Sequence, residues 1–299
     1  MACLVASERQ AGVSLQFKLH IIPPPYPLDW SSPRSLLIKT LVNHFIQDPA
    51  PIGHFFIEIE SEVQNPFGVR HVLTGMSRLK KNASTLAVIR KQVGLGTFFY
   101  DFEGKLDQAA RAKSQLDWAK KRKRLKTISV TLTEERAKLL MDELGVWISE
   151  GSFKHYGGGG LSILKGEGSG CAEFGMHFFN LALGKSAAHP DWIRTVYSPK
   201  PLTGGELTQK KVTLTKVFLK GEEWAKDEND GFLYATPDME LVTAWLEKNY
   251  PGKQEIALTA AAVTWAKSEA HRVLFQANYP KTSEPEIKLQ WNRIGVKAP

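Results

Sequence analysis

Cysteine is nearly absent from this chain. Two residues in 299, Cys3 and Cys171, make no disulfide framework, and without a CxxC pair or Cys/His ligand spacing a structural zinc site is not expected either. Long apolar runs are also missing: nothing approaches the roughly 18 consecutive residues of a membrane span. Met1 to Gly12 carries Glu8 and Arg9 where an export signal needs an apolar core, so the default expectation is a cytoplasmic protein. No internal repeat is present. Disorder, collagen and coiled coil are disfavoured by 42% hydrophobic and 23% charged residues with 24 Gly and 16 Pro.

Cofactor fingerprints fail in turn. Gly94-Leu95-Gly96 lacks the third glycine of a dinucleotide loop, and Gly166-Glu167-Gly168-Ser169-Gly170 is not followed by the lysine of a phosphate loop. His177-Phe178-Phe179-Asn180 lacks the Glu and second His of a metalloprotease helix, and the eight histidines show no paired spacing. No metal and no cofactor are therefore expected.

What is present begins with charge. Against 31 Asp and Glu stand 39 Lys and Arg, a formal +8, which attracts anionic surfaces without choosing among them. Much of the excess sits in Gln108 to Lys126, a helix by composition carrying Lys113, Lys120, Lys121, Arg122, Lys123, Arg124 and Lys126. That run reads as a solvated face or as a dock for an anionic polymer. Only Trp118 accompanies it, so the stacking platform of a nucleic-acid binder is missing and nucleic acid is not an expected partner.

Periodicity gives an α+β order of elements. Strands are expected at Val13 to Ile22, Gly53 to Glu60, His71 to Met76, Leu86 to Ile89, Gly96 to Phe102, about Val130 to Leu132, and Lys211 to Leu219. Asn65-Pro66-Phe67-Gly68 reads as the turn of a long hairpin that brings His54 and His71 onto adjacent strands. Helices are expected at Leu36 to Phe45 behind a serine cap, from Thr133 to about Gly151, at Cys171 to Leu183, and near Asp238 to Lys248. Residues 256 to 276 read as helical or mixed. At about 150 residues per domain the length allows two units, and a boundary is placed after Ser198-Pro199, giving 13–199 and a C-terminal α/β extension, 200–299.

The chemistry gathers at Cys171. A thiol becomes a nucleophile when something lowers its pKa, and the open amides of a helix N-terminus do part of this. Glycines through Gly170 allow close substrate approach, and the Cys171 amide can face an oxyanion. An imidazole would complete the activation, with a polar group fixing its tautomer, and His54 at the start of its strand is the candidate base.

This order of a His on an early strand, a polar residue on the next and a Cys opening a later helix resembles the circularly permuted papain-like group. That group includes the lecithin-retinol-acyltransferase-like proteins and relatives of NlpC-type cell-wall peptidases. The resemblance rests on Gly53-His54-Phe55-Phe56-Ile57-Glu58, on His71, and on Tyr156 followed by Gly168-Ser169-Gly170-Cys171-Ala172-Glu173-Phe174, and covers about residues 14 to 185. It implies an antiparallel sheet packed on the Cys-bearing helix, Cys171 as nucleophile, His54 as base and His71 as the orienting residue. Glu58 is the substitute for His71, Tyr156 a cleft residue, and Gly170 stands where members often have Asn. The implied function is hydrolysis of an amide or peptide bond, with bacterial cell-wall material as the first substrate, which would require an exported form. Two alternatives stand beside it. A lipid acyltransferase or phospholipase of the same fold would show an exposed apolar rim around the Cys171 cleft or a membrane-binding segment, and an inert module for an anionic polymer would bury the thiol out of reach of His54.

Overall fold

The computed structural model describes residues 15–259, apart from 47, 61–69, 81–82, 84–86, 158, 160, 162 and 185–189. The expected turn at 65–68 and nearly all of the 256–276 segment lie outside the described residues. Within them the chain is a mixed α+β structure with several antiparallel sheets.

The main sheet holds β1 (Gln16–Ile22), β2 (His54–Glu60), β3 (His71–Thr74), β6 (Lys126–Thr131) and β10 (Glu255–Ala257) in the order β10-β6-β1-β2-β3. All neighbours are antiparallel except β10, which runs parallel to β6. Alternation decides the faces: Phe17, Leu19, Phe55, Ile57, Ile128 and Val130 enter the main core, while Ile22 and Phe56 face α2 (Ala109–Lys121) through Ala112, Leu116 and Ala119. The main core is closed by α3 (Glu134–Ser149), capped by Thr133, and by α4 (Cys171–Leu183), in which every residue but Asn180 is buried.

Glycine sets how near α4 comes to the sheet. A Cβ on Gly175 would stand 2.9 Å from Phe55 Cβ and 3.0 Å from Leu19 Cδ1. Gly175→Val is expected to cost about 3 kcal/mol, overpacking outweighing a gain in helix propensity of a few tenths. Urea unfolding measures this, and an unchanged midpoint would mean that α4 is not pressed onto β2.

Several expected elements take other forms. The returning strand breaks at Gly75, where a Cβ would lie 2.7 Å from Phe55 O, and β4 (Met76–Arg78) turns away to pair with β5 (Phe102–Leu106), which also pairs with β7 (His155–Tyr156). Of the stretches read as strands at 86–89 and 96–102, the first is a π-helical turn from Ala87 to Lys91 in its described residues, and the second a 3-10 turn, Leu95–Phe98, with only Phe102 reaching β5. Their aromatics pair with side chains rather than across a ladder: Phe98 stacks on Tyr234 with ring centres 4.5 Å apart and on Trp30 at 6.2 Å. Lys211 to Leu219 forms the helix α5 (Leu214–Lys220), because Thr213 Oγ1 accepts the Lys216 amide at 3.2 Å and starts a helical turn. The basic segment is helical only to Lys121, and its end is the strand β6.

The remaining elements wrap this body. α1 (Pro33–Phe45) is capped by Ser32, and β8 (Ile193–Pro199) forms a ribbon with β9 (Gly231–Pro237) that the periodicity did not suggest. The expected 199/200 boundary falls at the end of β8. Beyond it, α6 (Met239–Asn249) sends Met239, Val242 and Leu246 into the main core, and β10 joins the main sheet.

Candidate active site

Three elements converge on one thiol. Gly170 is the N-cap of α4 and offers no side-chain cap, so Cys171 occupies the first helical position, 5% exposed, beside backbone amides that favour a negative charge. The approach loop is tight: Gly168 has φ +118°, and a Cβ there would meet His155 Cβ at 2.5 Å. His54 opens β2 with its ring edge on Phe56, centres 4.3 Å apart. Its Nε2 bonds Asp107 Oδ2 at 3.2 Å, and its ring also hydrogen-bonds the Cys171 thiol, for which Nδ1 is the nitrogen left.

Asp107 ends the β5 segment just before α2 and is held from every side. Ser77 Oγ donates to Oδ2 at 2.7 Å, Arg111 Nη1 lies 3.4 Å from Oδ1, the Asp107 amide donates to Gly75 O at 2.9 Å, and its carbonyl accepts Thr74 Oγ1 at 2.8 Å. Burial pushes its carboxyl up, but the hydrogen bond and charge of His54 prevail and hold it below the usual range.

The pair titrates as an ion pair. Burial works against the His54 cation, yet the Cys171 charge and the Asp107 hydrogen bond raise its pKa to about 9. Burial pushes the Cys171 thiol up, and the facing His54 charge, its hydrogen bond and that of Tyr156 bring it below its ordinary value. Tyr156, on β7, donates its hydroxyl to the sulfur, and burial and the Cys171 charge keep that hydroxyl protonated. The two shifts, the imidazole upward and the thiol downward, both favour a thiolate beside an imidazolium.

The thiol lies on the wall of a cleft of about 240 Å³, lined mainly by apolar side chains including Leu28, Trp30, Ile52, Phe98, Phe102 and Met239. Glu173 closes the floor. Its carboxyl accepts Thr236 Oγ1 at 2.7 Å and the amides of Gly170 and Glu173, and burial raises its pKa. With Gly170 N–H so engaged, the first-turn amides of Cys171 and Ala172 are the donors that the helical ladder leaves for a developing oxyanion. A second acid of the cleft, Glu240, accepts the Leu28 amide at 3.1 Å and is pushed to about 7 by burial and by Asp238.

The structure thus joins Cys171, His54, Tyr156 and Gly170 and leaves His71 and Glu58 out. His71 pairs with Glu60 across the sheet, six residues from His54 along β2, a span of about 20 Å, and its exposed ring bonds Glu58 Oε1 at 2.8 Å. Glu58 bonds His20 Nε2 at 3.0 Å and is held at about 2, by His20 first and then His71 against burial. Among the described residues Glu58, Glu60 and His71 have metal-ligand spacing, but the Lys18 ammonium at 3.7 and 3.8 Å from the two carboxylates already supplies a cation. His177 bonds Glu143 Oε1 at 2.8 Å, on the side of α4 away from Cys171. The missed residue is Asp107, with Ser77 and Gly75. Its only trace in the sequence is an acid just before a helix, which a cap explains equally well. No protein-family model, curated protein or solved structure matches this chain.

Proposed function

We propose that this chain is a cysteine-dependent acyl-transfer enzyme of the permuted papain-like type, acting on an amide or ester through an acyl-enzyme. The observation that carries the reading is the chain of contacts Cys171–His54–Asp107, ending on a thiol at a helix N-terminus in an open cleft. The thiolate attacks the carbonyl carbon and its oxygen becomes an oxyanion facing the Cys171 and Ala172 amides. His54 then gives its proton to the departing amine or alcohol, leaving a thioester on Sγ. Water, or another acceptor, loses a proton to His54 as it attacks the thioester, and the thiolate leaves, restoring the pair with the imidazolium. Asp107 keeps the imidazole in the orientation that serves both steps. Because both steps cycle a proton through a group near 9, activity is expected to fall as pH rises through about 9.

On the substrate, a cell-wall peptide amide is the first candidate from the resemblance. The largely apolar cleft favours a second, a fatty-acyl ester or amide. Nitrophenyl esters of short and medium acyl chains, quenched in acid and analysed by mass spectrometry, test both. The expected result is one acyl mass on the peptide containing Cys171, absent in Cys171→Ser, with about tenfold faster acylation by the longer chain if the apolar wall receives it. No adduct at Cys171 from any activated ester would defeat the proposal.

A further inference from the structure

Helix α1 reverses the usual arrangement of a surface helix, whose apolar stripe faces the core: its buried residues are Pro33, Leu36 and Asn43. On the inner side Leu36 and the half-buried Thr40 line the Cys171 cleft, with the exposed His44 at its edge. The outer side sets Ile38, Leu41, Val42 and Phe45 at helical spacing, followed by Ile46, and all five are exposed, Phe45 to 81%. A contiguous stripe of this kind on the lip of a cleft is a contact surface rather than chance exposure.

Its surroundings state what it contacts. No Asp or Glu occurs in α1 or α5. At the N-terminal end of the stripe Arg34 lies over the Phe218 ring at 5.7 Å and bonds Leu219 O at 2.8 Å, so α5 adds exposed Phe218 and Leu219, with Lys220 beside them. At the other end, Ile46 shares a cavity with Tyr26, Trp118, Arg122 and Arg124. Arg122 stands 4.2 Å over the Trp118 ring, where the exposed run Lys120 to Lys123 begins. Two of the adjoining carboxylates are paired, Glu222 with Arg34 at 3.1 Å and Asp48 with Arg124 at 2.5 Å, and Glu223 beside them is exposed. Among the described residues no helix is long and apolar enough to cross a membrane.

We propose that the outer face of α1, continued by α5 and by the basic end of α2, docks onto an anionic phospholipid surface and sets the mouth of the Cys171 cleft against it. Apolar side chains enter the acyl boundary while Lys120 to Lys123 meet the headgroup charge, the division of labour of interfacial helices. A second copy of the chain is the weaker occupant, since each brings its own basic flank and a net +8.

The test is flotation with vesicles of phosphatidylcholine and phosphatidylglycerol in equal parts, against phosphatidylcholine alone, using Cys171→Ser so that binding is read without turnover. Docking and catalysis can then fail separately. Binding to the anionic vesicles is expected, weakened by salt, about tenfold weaker in Phe45→Ser and about tenfold weaker in Lys121→Glu/Lys123→Glu. Protein that stays unbound to anionic vesicles overturns the proposal. So does a Phe45→Ser protein that binds equally well, which would leave a polyanion site on the basic run, or a Phe45-dependent dimer in sedimentation without vesicle binding, which would assign the face to a second copy.

Discussion

His54→Ala is expected to slow alkylation of Cys171 at about pH 6 by at least about a hundredfold. The size follows from which effects remain when the imidazole is removed. Burial, the largest influence on the thiol, pushes its pKa up, and Glu173 adds to it; His54 first and then the Tyr156 hydroxyl pull the other way. Without His54 the first of these opposing groups is lost, and the thiol is expected to move upward. In the parent protein, reactivity should persist from acid to neutral pH and change slope as the imidazolium loses its proton near 9, whereas the variant should gain reactivity only on the alkaline side. Cys3 gives a second thiol in the same molecule against which the rate at Cys171 is compared. Mass spectrometry after timed iodoacetamide exposure gives both rates. Equal rates at Cys171 in the two proteins, or labelling of Cys171 only in denaturant, would place the thiol among buried structural cysteines and leave the inert module as the reading.

The two reacting groups were legible because each announces itself locally. His54 begins an alternating apolar strand and Cys171 follows a glycine run and opens an apolar helix, and the boundaries of that helix, Cys171 and Leu183, agree with the periodicity. The orienting group was not legible, because it depends on where the sheet breaks. Two adjacent strands suggest His71 as a partner, but an antiparallel hairpin sets the first residue of the returning strand opposite Glu60, at the far end of β2 from His54. Gly75 instead sends β4 out to pair with β5, and that pairing delivers Asp107 to His54. A steric event at a residue with no side chain leaves no periodic signal. The strand readings at 96–102 and 211–219 failed for a related reason: aromatic and β-branched composition does not separate a ladder from a side-chain cluster or a capped turn. The apolar rim was hidden differently, since in sequence the inner and outer residues of α1 look alike and only burial separates Leu36 from Phe45.

Asp107→Asn is expected to lower kcat/KM by about 10² to 10⁴ while leaving the fold in place. The backbone contacts that tie Asp107 to Gly75 and Thr74 use its amide and carbonyl and survive the change. Arg111, left without its partner carboxylate, is well exposed and remains hydrated, so its loss of pairing adds little to the cost. What changes is the atom facing Nε2. A carboxylate accepts the Nε2 proton and so presents Nδ1 to the thiol; an amide that turns its nitrogen toward Nε2 favours the opposite tautomer and sets an N–H against Sγ. Both the hydrogen bond and the charge of Asp107 act to raise His54, so the alkaline limb of the activity profile should move below about 9 in the variant, whereas a purely structural role would leave its position unchanged. Asp107→Glu should keep the charge but misplace it, recovering the alkaline limb more fully than the rate. An Asp107→Asn protein with parental kcat/KM and an unmoved limb would remove Asp107 from the site and reduce the catalytic unit to Cys171 and His54.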